Sequence, residues 1–214
     1  MRARLTAAIL IAAGLWFLMF SPLTSGLAGF WAEMTFSAIA LTLMAVFFGR
    51  ASGVGMPAMR RPLLQAVVGV AIAFALWGVF VAGDRLSQMM FGFARGQVDM
   101  VYSLRTGMPE WAIAVLLLLV IGPAEEFFWR GYVQAAFAKL LSGRRHSADL
   151  AFVFTTLIYA SVHICSMNFM LVMAALVAGC VWGFVYRMRP SLLPALIISH
   201  ALWDALVFVL LPIG

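Results

Sequence analysis

Seven apolar runs, each long enough to cross a bilayer, constrain this chain more than any other feature. A spanning helix needs about 20 mostly apolar residues. Such runs fall at about 5–23, 27–48, 63–83, 111–138, 149–166, 168–187 and 191–211. Ser21-Pro22, the stretch from Gly49-Arg50 to Arg61-Pro62, Ser142-Gly143-Arg144-Arg145 and Arg187 to Pro190 punctuate them. With 65% hydrophobic and 10% charged residues and a mean hydropathy of +1.05, the chain is no ordinary soluble domain, whose apolar fraction is nearer half. A transmembrane β-barrel would alternate polarity over segments of about ten residues, and that pattern is absent. The predicted fold class is all-α, a polytopic transmembrane helical bundle of seven spans.

Charge gives the bundle a direction. Arg2, Arg4, Arg50, Arg60, Arg61, Lys139, Arg144, Arg145, Arg187 and Arg189 fall on one side of the seven crossings. Arg85, Arg95 and Arg105 fall on the other, balanced by Asp84, Asp99 and Glu110. Ten against three predicts an integral membrane protein with its N-terminus in the cytoplasm and its C-terminus outside. The net charge of +6 is therefore a topology signal and does not point to nucleic acid. Leu5 to Phe20, preceded by Arg2 and Arg4, resembles a signal peptide, but no convincing small-x-small cleavage site precedes the next run. It reads as a retained first span. Segment 84–110 is the one long connection, and its Met89-Met90-Phe91-x-Phe93 stretch fits an interfacial helix, a re-entrant piece or a plain loop. No internal repeat of the inverted-transporter kind is apparent.

Against this background a few polar residues stand out. Glu125, Glu126 and Arg130 lie inside the fourth run, where a carboxylate at the bilayer centre costs about 2.5–3.5 kcal/mol on translocon scales. Glu126 and Arg130 are one helical turn apart and can pair. Glu125 is rotated by about 100° from Glu126, which leaves its carboxylate for a cavity and for chemistry. Pro123 suits the first turn of a helix restarting after Gly122, with both glutamates near a positive helix end. Later spans carry Tyr159 and His163, then His200 and Asp204, each pair again at i, i+4. Three helices thereby bring a Glu, two His and an Asp to similar depth. A single intramembrane His or Glu is often only a packing hydrogen-bonder, but so many ionisable groups on three spans point to a site. His146 reads as a solvated loop residue, and Asp149 as the N-terminal end of a helix. Cys165 and Cys180 sit in apolar runs, which argues against a disulfide framework; Cys165 as a nucleophile is the weaker reading.

These motifs resemble the CAAX prenyl endopeptidase and bacteriocin-processing family, the CPBP intramembrane glutamic proteases. Glu-Glu-x-x-x-Arg is matched by Glu125, Glu126 and Arg130, followed by Gly131-Tyr132. Phe-x-x-x-His is matched by Tyr159 and His163, with Tyr for Phe, and His-x-x-x-Asn/Asp by His200 and Asp204. The resemblance covers about residues 110–210. It divides the chain into an N-terminal part, 1–105, that adds only hydrophobic spans and their loop, and a catalytic helical core in the later four spans, 106–214. By resemblance, Glu125 and His163 activate a water, while His200 and Asp204 stabilise the oxyanion. Glu126, Arg130 and Tyr159 support them. An ionised Asp cannot donate a hydrogen bond as Asn does, so Asp204 either stays protonated or holds His200 as a donating imidazolium.

The function so implied is endopeptidase cleavage of a membrane-associated or hydrophobic peptide or protein substrate, within the lipid bilayer, with no cofactor and no metal. A short chain with little extramembrane mass suggests a bacterial member in the inner (cytoplasmic) membrane. Two other classes use the same residues. A zinc-dependent membrane hydrolase would ligate metal through His163, His200 and a carboxylate, and a non-enzymatic immunity or transport protein would use them for binding or relay.

Overall fold

Apolar side chains at every helical angle leave this sequence no way to bury its hydrophobic surface internally. In the computed structural model, which describes residues 1–55, 57 and 60–213, the runs become seven long apolar helices with large hydrophobics such as Leu10, Phe36, Phe47, Leu63 and Leu119 turned outward. A helix satisfies its own backbone hydrogen bonds, so such a surface can face lipid. The spans are α1 (Arg2–Phe20), α2 (Phe30–Ser52), α3 (Pro62–Met90), α5 (Glu110–Leu140), α6 (Ser147–Ser166), α7 (Phe169–Met188) and α8 (Pro190–Leu210), with a short helix α4 (Ala94–Tyr102) between the third and fourth. The protein is an all-α polytopic membrane bundle, without strands among the described residues.

Helix α5 is the axis of the bundle. Phe128 through Gln134 are all buried, and α2, α6, α7 and α8 pack around it. Two glycines permit the closest crossings: a Cβ on Gly122 would lie 2.5 Å from Ala201 Cα of α8, and one on Gly69 of α3 would lie 2.6 Å from the Ala195 carbonyl oxygen. Small residues at such crossings are how helices approach in lipid, where association relies on packing and hydrogen bonds.

The expected restart of a helix after Gly122 is not found. Helix α5 runs unbroken for 31 residues, and Gly122 is helical, with φ −57° and ψ −46°. Wide π-helical turns at Leu117–Ile121 and Phe127–Gln134 flank the short α segment Gly122–Glu126. A proline inside a helix removes one backbone donor and crowds the carbonyl four residues back. The wide turn before Pro123 takes up that misfit, so no positive helix end lies beside the glutamates.

At the basic end, Arg4 Nη1 donates to the Ala51 carbonyl at 2.9 Å and Lys139 Nζ to the Gly53 carbonyl at 3.0 Å. These cations meet the carbonyl end of α2, where its dipole favours positive charge. Asp149, in the first turn of α6, pairs with Arg187 near the end of α7 and with His146 at 3.3 Å. At the opposite end, the long connection is largely helical. α3 continues to Met90, and α4 sits over the α6–α7 turn, where Asn168 Nδ2 donates to the Gln97 carbonyl at 2.7 Å and the Met170 amide to Gln97 Oε1 at 3.0 Å.

Candidate active site

Three spans measured from the basic end place their polar groups at one level. At 1.5 Å per residue, Glu125 lies about 22 Å along α5, His163 about 24 Å along α6 and Asp204 about 21 Å along α8. Glu125, Tyr159, His163, His200 and Asp204 all line one cavity of about 590 Å³.

The adjacent glutamates part company as their helical angles predict. Glu126 is fully buried, and its Oε2 accepts from Arg130 Nη1 at 3.1 Å and from His200 Nδ1 at 3.0 Å. The guanidinium also donates through Nη2 to the Gly179 carbonyl at 3.3 Å and lies over the rings of Tyr159 and Trp182. Glu125 faces the cavity, and its one hydrogen bond among the described residues comes from the Tyr159 hydroxyl at 3.4 Å. The Tyr159 hydroxyl thus adds a contact to the carboxylate.

His200 is fixed from three directions. Its Nδ1 meets Glu126, its Nε2 is 3.6 Å from Asp204 Oδ2, and Trp182 stacks on it with ring centres 3.9 Å apart and 20° between planes. Because Glu126 Oε2 already serves as acceptor to Arg130, Nδ1 must carry the hydrogen, which leaves Nε2 directed to Asp204 and the cavity. The pairing of His200 with Glu126 was not foreseen from the sequence; no spacing rule links positions on separate helices.

His163 stands just past the regular part of α6, which ends at Ser161. Its Nδ1 lies 2.8 Å from the Tyr159 carbonyl, and Trp16 Nε1 donates to its Nε2 at 3.0 Å. A carbonyl only accepts and an indole N–H only donates. The ring is therefore neutral, with its hydrogen on Nδ1 and its lone pair occupied by Trp16. Trp16 belongs to α1, so the first half of the chain supplies a group to the site as well as apolar spans. Its signal in the sequence was faint: a buried tryptophan usually finds a partner for its N–H, but nothing local names that partner. Cys165 donates its thiol to the Val162 and Trp16 carbonyls and does not line the cavity; Cys180 is exposed, and both are free. Among the described residues, no three His, Cys, Asp or Glu side chains are gathered as a metal site.

Residues 106–206 match the family model described as Type II CAAX prenyl endopeptidase Rce1-like. These 101 of the 214 residues carry the similarity to that family. The Rce1-like segment contains every motif residue from Glu125 to Asp204 and spans α5 to most of α8. The Rce1-like family implies a peptide hydrolase, and the seven apolar helices make the protein integral to the membrane. Comparison with curated proteins and comparison with solved structures each found no match.

Proposed function

We propose that this protein is a glutamic-type intramembrane endopeptidase of a bacterial cytoplasmic membrane, with its N-terminus in the cytoplasm, that cleaves a membrane-associated or hydrophobic peptide. One observation carries the reading: of two adjacent buried glutamates, one is committed to Arg130 and His200, while Glu125 faces a cavity and makes no ion pair among the described residues. Glu125 takes a proton from water, the water oxygen bonds to the peptide carbonyl carbon, and the proton passes to the nitrogen as the C–N bond breaks. Amide hydrolysis also needs a donor where negative charge develops on the carbonyl oxygen. His200 as an imidazolium, its Nδ1–H held by Glu126, presents Nε2–H for that purpose, with Asp204 as counter-charge. His163 joins Glu125 at the water once its Nε2 exchanges the Trp16 indole for that water.

Purified protein in liposomes tests the reading. Glu125→Gln should stop peptide cleavage while the protein stays folded and inserted, and activity should survive exhaustive chelation. Near-normal turnover by Glu125→Gln sinks the assignment of the base. Stoichiometric zinc, with activity lost on chelation and restored by metal, replaces it with the zinc hydrolase.

A further inference from the structure

The cavity and the positive charge lie at opposite ends of the molecule. Its mouth is formed by the end of α1, the start of α2, the end of α3, helix α4, the start of α7 and the end of α8, with Phe20, Phe30, Asp84, Tyr102, Phe169 and Ile213 on its wall. Toward the basic end it is closed by Glu126, Phe128, Trp129 and Arg130, all at 0% exposure. The residues lining it come from the half of the bundle remote from Arg4, Arg50, Lys139, Arg144 and Arg187. Basic loops remain in the cytoplasm, so Glu125 is reached from the outer face.

The lining has a second property. Its charged residues are Asp84, Glu125 and Asp204, and among the described residues no lysine or arginine lines it. A CAAX substrate ends three residues after its prenylated cysteine, in a free carboxylate. Cleavage next to that cysteine would bring the terminal carboxylate close to Glu125 and Asp204, with no lysine or arginine to receive it and the His200 imidazolium already matched by Glu126 and Asp204. A chain that continues past the scissile bond brings no such charge.

We propose that the cavity admits an internal, apolar segment of a polypeptide presented at the outer face of the membrane, and not the carboxylate-ended tail of a cytoplasmic prenylated protein. This rests on the protease reading above. Both points come from this chain: where its positive charges lie, and which charges its cavity lacks.

Access can be read without any turnover. In a Cys165→Ser, Cys180→Ser background, Ala174→Cys places a thiol on the cavity wall and Val98→Cys a second on the side of α4. Thr106→Cys and Ser142→Cys mark the two ends of the bundle. A membrane-impermeant thiosulfonate applied to right-side-out vesicles should label positions 174, 98 and 106 and spare 142; inside-out vesicles should give the reverse. Labelling of 174 and 98 from the inner face, or from neither face, overturns the proposal and leaves the role of Glu125 untouched. The substrate class is read with two fluorogenic peptides of one apolar sequence, one a farnesylated CAAX peptide with a free carboxylate, the other extended by ten residues. The extended peptide should be cleaved at least tenfold faster by protein in detergent. Equal or preferential cleavage of the carboxylate-ended peptide overturns the proposal, and cleavage of neither withdraws the protease reading and this inference with it.

Discussion

Glu125 and Glu126 are joined by one peptide bond yet belong to two differently built halves of the bundle. On the basic side of that bond the interior is sealed: Glu126, Arg130 and Gln134 are buried with hydrogen-bond partners on neighbouring helices, and tryptophan and tyrosine rings fill the rest. On the other side, the helix ends diverge around a cavity with an apolar wall and few polar groups. A rotation of about 100° between neighbouring residues suffices to separate a charge used for cohesion from a charge left for reaction. The sealed side is what lets the open side exist, because Glu126 fixes His200 at its edge while Arg130 ties α5 to α7.

Substitutions on the two sides should therefore fail differently. The largest effect on rate is expected from Glu125→Gln, a loss of about 10²- to 10⁴-fold, the usual contribution of a positioned general base, with thermal stability unchanged. An equal fall in stability would erase the distinction between the two glutamates. His200→Ala should remove nearly all activity. Asp204→Asn should keep a substantial part, and Asp204→Ala should lose much of it. The double alanine variant should be little worse than His200→Ala, because groups acting as a unit are non-additive. Independent, additive losses in a steady-state assay would separate Asp204 from His200.

On the sealed side, Arg130→Ala leaves Glu126 short of its cation and should cost about 3–5 kcal/mol of stability, seen as lower yield and a lower melting temperature. A stable but inactive Arg130→Ala would move that residue to the reacting side. The smallest expected effect is that of Trp16→Phe, which keeps a ring and removes its N–H. Losing one neutral hydrogen bond is worth about 1 kcal/mol, so turnover should hold or rise by up to about fivefold as His163 Nε2 becomes free for water. A tenfold fall would instead make Trp16 the group that positions His163.

What could be read from the chain follows from the range of the interactions involved. Seven spans were legible because hydrophobic length is a local property, and the Glu126–Arg130 pair because i, i+4 neighbours must meet on a helix. The unbroken course of α5 through Pro123 was not legible, since a π turn depends on the packing around it and leaves no residue signature. The pairing of Glu126 with His200 and that of Trp16 with His163 join helices 74 and 147 residues apart in sequence. Contacts of that range appear only when the helices have been placed. The alternatives for segment 84–110 were open for a similar reason: α4 is held by Gln97 to the turn between α6 and α7, a partner some 70 residues away.

The bonds made by Trp16 and Gln97 bear on how this protein can be taken apart. The family match begins at residue 106, after both of them. A fragment starting there keeps every motif, but the His163 ring loses the indole that holds its lone pair, and the turn carrying Asn168 loses its strap. Grafting residues 106–214 behind the first three spans of another such enzyme would transplant the reactive groups without two of the bonds that orient their surroundings. The front half is a fitted part, and an exchange would need to carry Trp16 and Gln97 across the junction.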